Sequence, residues 1–130
     1  MTRTIVLTFL SFIAGSLFAT AQVSNISASD AKKIIENKQK PVQVLDVRTP
    51  DEWKAGHLAM AKHINVSDAD FVAKVEKLDK SKPVVVYCAS GGRSGRAASI
   101  MASKGFTTIY NVSNGGYTNL AATGLPTSTK

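Results

Sequence analysis

Apolar residues along the chain fall into short runs separated by polar turn residues, and the runs alternate between two periodicities. Val42–Val47 and Pro83–Tyr87 are compact and β-branched, as buried strands are. Thr108–Val112 predicts a last strand, and His63–Val66 another. Helical spacing fills the intervals. Ser27-Ala28-Ser29-Asp30 reads as a helix start, with Ala31, Ile34 and Ile35 as its apolar face, and Lys40-Pro41 ends that unit. Thr49-Pro50-Asp51-Glu52 combines a capping hydroxyl, an N-terminal proline and two early acids, so a short helix runs from there to Gly56. Ser67-Asp68-Ala69-Asp70 caps a further helix, where Phe71, Val72, Val75 and Leu78 fall on one face. Ser94–Ala102 is the next helix, and a final short one follows Gly115-Gly116 and ends at Gly124-Leu125-Pro126. Neither an internal repeat nor a low-complexity stretch interrupts this order. Strands alternating with helices imply an α/β fold, a mainly parallel sheet with helices on both faces. Ligands of such sheets bind beyond the C-terminal ends of the strands, where Asp46, Arg48 and Cys88 all fall.

The first 21 residues read as an address and not as part of that pattern. Arg3 supplies a positive start, Ile5–Phe18 is mostly apolar, and Ala19-Thr20-Ala21 matches a small-x-small cleavage site. The apolar core is 14 residues long, short of the roughly 20 that span a bilayer, and no Lys or Arg cluster follows it. We expect a signal peptide over 1–21, no stable membrane anchor, and an exported domain over 22–130, periplasmic or secreted if the source is bacterial. A mature chain of 109 residues is one domain. It holds one cysteine, so packing alone must stabilise it, and an odd cysteine in an exported protein calls for intermolecular pairing or a working thiol. The formal charge of +7 is spread over scattered lysines without a basic-aromatic cluster, which speaks against nucleic acid as partner.

That cysteine, Cys88, sits where a thiolate is useful. It ends the Pro83–Tyr87 run and opens the loop Cys88-Ala89-Ser90-Gly91-Gly92-Arg93 ahead of a helix. Strand, tight loop and helix aim backbone N–H groups and a positive dipole end at one sulfur. A free thiol titrates near about 8.5, and such surroundings lower it. Gly91 and Gly92 are expected at positive φ, turning successive amides inward. Arg93 adds a full positive charge, and Arg96 lies one turn beyond it. An inert buried cysteine is the plain alternative, and two glycines and an arginine directly after it weigh against that.

These residues resemble the rhodanese domain of the single-domain sulfurtransferases. Leu45-Asp46-Val47-Arg48-Thr49-Pro50-Asp51-Glu52-Trp53 resembles the family's Asp-x-Arg segment with its Glu-aromatic pair, and Gly56-His57-Leu58 its Gly-His-Ile segment. Cys88-Ala89-Ser90-Gly91-Gly92-Arg93-Ser94 resembles the active-site loop, and Gly115-Gly116-Tyr117 with Gly124-Leu125-Pro126 the closing segment. The similarity runs in order from about Ser27 to Pro126. Two departures concern loop shape: Ala59-Met60-Ala61 stands where Pro-Gly-Ala is frequent, and Leu120 where a tryptophan is common. The resemblance implies that Cys88 takes a sulfane sulfur from a small anionic donor such as thiosulfate or polysulfide. It then passes that sulfur from a persulfide to cyanide, a thiol or an accepting protein, with no cofactor.

The same chemistry is expected of the residues themselves. A thiolate attacks a sulfur bearing a leaving group, and an inward-facing amide loop stabilises the charge that develops. Ala89, Ser90, Gly91, Gly92, Arg93 and Ser94 would form that cradle; Ser94 reads as a helix cap, with contact to the sulfur as the alternative. Asp46 and Arg48 read as a scaffolding ion pair, Arg48 being able instead to face an anionic substrate. His57 reads as a structural hydrogen-bonder, and His63 completes no zinc spacing. Two other readings stand beside this one: a non-catalytic persulfide carrier serving a partner protein, and a cysteine-dependent phosphatase or arsenate reductase. The second ranks lower because four residues separate Cys88 from Arg93, one fewer than phosphatases use.

Overall fold

The computed structural model describes residues 20–130; the expected signal peptide lies almost wholly outside the described residues. In chain order the elements are β1 (Gln22–Ile26), α1 (Ala28–Glu36), β2 (Gln43–Asp46), α2 (Pro50–Ala55), β3 (His57–Leu58), β4 (Lys62–His63), α3 (Phe71–Val75), β5 (Val84–Tyr87), α4 (Gly92–Ser103), β6 (Thr108–Val112), α5 (Tyr117–Ala122) and β7 (Thr127–Ser128). Five strands form one sheet in the order β1-β6-β5-β2-β4, and every neighbouring pair in it is parallel. β3 and β7 make a separate two-residue antiparallel pairing.

Two cores flank the sheet because side chains alternate along each strand. Val84, Val86, Leu45 and Ile109 pack with Phe71 and Val75 of α3 and with Ala97, Ala98 and Met101 of α4. On the opposite face, Val44, Val85, Tyr87 and Val112 pack with Ala31 of α1 and Leu120 of α5. All four residues of β5 are fully buried, which is why its sequence reads as a continuous apolar run.

The order of strands positions the site. From β2 the chain crosses outward to β4, then returns to place β5 on the other side of β2. The C-terminal ends of β2 and β5 therefore bound a point where the winding reverses, and a crevice opens at such a point. Asp46 ends β2 and Cys88 follows β5, side by side there.

Most expected elements are present; the differences lie in β4, α3 and α4 and in the unanticipated strands β1, β3 and β7. Ser27 caps α1 by accepting the Asp30 amide at 3.1 Å, and Thr49 and Glu52 cap α2 reciprocally, as the motifs indicate. The strand expected over His63–Val66 is Lys62–His63; beyond it Ile64 and Val66 still donate to the Asp46 and Val47 carbonyls, but without regular pairing. α3 is one turn shorter than its apolar spacing suggests, ending before Leu78. Ser67 and Asp68 are taken up by turns on the Asn65 amide, and Asp70 stands at the N-cap without a side-chain hydrogen bond to the helix. α4 begins two residues early, at Gly92. Finally, β1 is an unanticipated edge strand: only its last residue is more than marginally shielded, so no buried alternation announces it.

Candidate active site

The site is built on the turn between β5 and α4. Gly91 occupies the left-handed region at φ 100° and caps α4, which folds the chain back over Cys88. This brings the Gly91 amide to 3.0 Å from Cys88 Sγ as a hydrogen-bond donor, and the Ser94 hydroxyl to 3.3 Å. Ser94 is fully buried and is the third residue of α4; it faces the sulfur and does not cap the helix. Gly92, expected at positive φ, is instead the first helical residue, and a Cβ there would meet nothing within 4 Å. Ala89 and Ser90 form the exposed rim of the turn.

Cys88 is itself only 1 % exposed. Burial acts to raise its pKa, but the Ser94 hydroxyl and the amides of Ser94, Ser90 and Gly91 outweigh burial and leave it lowered. The thiolate is stabilised by dipoles close to it.

A second glycine loop supports the turn from behind. The Tyr117 amide donates to the Cys88 carbonyl at 2.9 Å, and a Cβ at Gly116 would collide with that same carbonyl oxygen. Gly116 is thus a close-approach glycine. Its doublet with Gly115 was legible as a motif, but the partner it presses on was not.

Arg93 is not free at the cradle. Its two terminal nitrogens bind the two carboxylate oxygens of Glu52 at 2.6 and 2.9 Å, tying α4 to the first turn of α2. The Arg93 guanidinium beside Glu52 holds that carboxyl down to about 2, against the opposition of partial burial. Arg93 in turn is raised above its ordinary value, chiefly by the bond to Glu52 and in lesser part by the Cys88 charge. Glu52 is the site residue that sequence reasoning missed in this role; its capping motif was visible, its partner 41 positions away was not.

Asp46 and Arg48 form a buried, forked ion pair. Arg48 Nη2 lies 2.8 Å from Asp46 Oδ2 and also donates to the Gly56 carbonyl at 2.7 Å, while Arg48 Nε bonds both oxygens of Asp46. The Tyr117 ring lies 4.4 Å from the guanidinium carbon. With Arg48 closed in this way, its alternative role of facing substrate has no support in the geometry. His57 stacks on Trp53 with ring centroids 3.4 Å apart and bonds the Trp53 carbonyl at 2.7 Å. His63 stacks near Trp53 at 4.9 Å and bonds the Arg48 carbonyl at 2.7 Å. Arg96 is exposed and reaches Ser67 Oγ at 3.4 Å.

Chemically, the arrangement is a buried, ionisable sulfur under converging N–H and O–H donors, at the switch point of a parallel sheet. Comparison with known proteins places it. The protein YqhL of Bacillus subtilis is 37 % identical over 76 residues, covering 58 % of this chain and 59 % of its own, so the chain spans less than two thirds of that relative. The thiosulfate sulfurtransferase GlpE of Pseudomonas aeruginosa is 35 % identical over 91 residues, 69 % of this chain and 77 % of GlpE. Among solved structures, the rhodanese-like domain of Alr3790 from Anabaena superposes with a TM-score of 0.71 at 26 % identity, over 82 % of this chain and 79 % of that one. The rhodanese-related protein of Thermoplasma volcanium gives 0.68 at 29 %, over 82 % and 99 %. The family profile of the rhodanese-like domain matches residues 27–123, so this chain belongs to the rhodanese-like family.

Proposed function

We propose that the protein is a sulfurtransferase in which Cys88 takes a sulfane sulfur from a donor, holds it as a persulfide and passes it to a thiol or cyanide. The observation that carries this reading is the donor set on one buried sulfur: the Gly91 amide at 3.0 Å and the Ser94 hydroxyl at 3.3 Å. The same groups that favour the thiolate would hold the outer sulfur's charge after transfer. Ala89, Ser90 and Gly92 complete the rim, and the Asp46–Arg48 pair fixes the strand end behind it. The thiosulfate sulfurtransferase activity of the relative GlpE supports the class of reaction. On the pattern of residues 1–21, we infer export of the domain.

Intact-mass measurement after incubation with a sulfane donor tests the reading. One sulfur atom per chain should be gained, removed again by cyanide, and absent in Cys88→Ala. An unchanged mass in correctly folded wild type sinks it. Multiple turnovers with cyanide separate an enzyme from a carrier, which would load once and stop.

A further inference from the structure

The charges around the sulfur cancel in pairs. Arg48 is closed by Asp46 and Arg93 by Glu52, each through two nitrogens. Ala89, Ser90, Gly91 and Gly92 bring no charge of their own. Among the described residues, Arg96 is the remaining cation of α4, and it is exposed and turned to Ser67. The cradle is therefore rich in neutral donors and holds almost no net positive charge. Three of the five N–H groups of Arg93 remain open to a ligand, but its charge is already matched.

This balance bears on which donor the site accepts. Thiosulfate arrives with two negative charges and meets a thiolate carrying a third. A persulfide of a small thiol arrives neutral or with one charge. Resting on the sulfur-transfer reading above, we propose that Glu52 is a specificity-determining residue: by neutralising Arg93 it makes the site favour small-thiol persulfides over dianionic donors. In the favoured step the Cys88 thiolate attacks the outer sulfur of R–S–SH. The Cys88 S–S bond forms as the donor's S–S bond breaks, and the electron pair of the broken bond leaves on R–S⁻. The proton stays on the transferred sulfur. Charge is one negative before and after, and no external oxidant or reductant is required.

The test compares wild type with Glu52→Gln, which retains a side chain able to cap α2. Second-order loading of Cys88 is followed by intact mass with two probes, thiosulfate and the persulfide of 2-mercaptoethanol. Freeing Arg93 should raise the thiosulfate rate constant about tenfold, as unmasking one charge beside a site does, and change the persulfide rate less than about twofold. A donor ratio unmoved by the substitution, or both rates falling together, overturns the proposal and leaves Glu52 as a strut. If neither donor loads folded wild type, the sulfur-transfer reading fails instead. Should Glu52→Gln not fold, the wild type alone decides. Raising ionic strength from about 0.01 to about 0.15 M shortens the screening length from about 30 to about 8 Å. Thiosulfate loading should then fall less than about twofold, and a fall of tenfold or more would reveal a cationic cradle and overturn the proposal.

Discussion

At the scale of single residues, the sulfur's environment depends on two short donors, the Gly91 amide and the Ser94 hydroxyl, and on the close approach that Gly116 allows. Removing the hydroxyl in Ser94→Ala takes a donor from the ionised form alone, so the pH midpoint of alkylation moves up and the rate at neutral pH falls about tenfold. That follows because a hydrogen bond to a charged group contributes roughly 1.5–3 kcal/mol. An unchanged pH profile would show that the amides suffice. The glycines separate by what surrounds them. Gly116→Ala drives a methyl into the Cys88 carbonyl and should destabilise by about 2–4 kcal/mol in urea titrations. Gly92→Ala meets open space in a helical residue and should be neutral or gain up to about 1 kcal/mol. From the sequence, Gly92 was expected at positive φ, whereas it is an ordinary helical residue. Side-chain-free positions look alike until the neighbour that presses on them is known.

Between elements, the Glu52–Arg93 bond couples the start of α2 to the start of α4, and its pH dependence has a defined sign. The Glu52 carboxyl is depressed from 4.5 to about 2 in the fold. Its contribution is fully present above the unfolded value and is lost as pH falls through the folded one. Wild type should therefore lose stability from about pH 4.5 down to about pH 2, while Glu52→Gln shows a flatter acid limb in denaturant titrations at each pH. The effect is modest, since both side chains are about one-third exposed (31 % and 33 %). Identical limbs would mean that the pair is not formed in solution. Element order was readable in the chain because buried strands carry unbroken apolar runs and because Ser27 and Thr49 cap locally. β1, β3 and β7 were not readable: β1 is polar and exposed, and the other two are two residues long. The start of α4 was misplaced because Ser94 has the chemistry of a cap, yet a left-handed Gly91 already performs that task and leaves the hydroxyl for the sulfur.

Taken as a whole molecule, the protein keeps its single thiol beneath the surface at the reversal point of a wholly parallel sheet. A disulfide between two copies needs Cα atoms within about 7 Å of each other, which a sulfur 1 % exposed under its own loop does not permit. Mild oxidation with diamide should leave a monomer on a non-reducing gel, whereas a small alkylating reagent still reaches Cys88 faster than a bulky one. A substantial dimer band would show that the loop opens widely. The stacking around Trp53 has a practical consequence. It is the chain's one indole, stacked with the imidazoles of both His57 and His63, which belong to two different strands. Fluorescence thus comes from a single reporter lodged where three segments meet. Any variant that parts those rings will announce itself in emission intensity, without a label and without touching the sulfur.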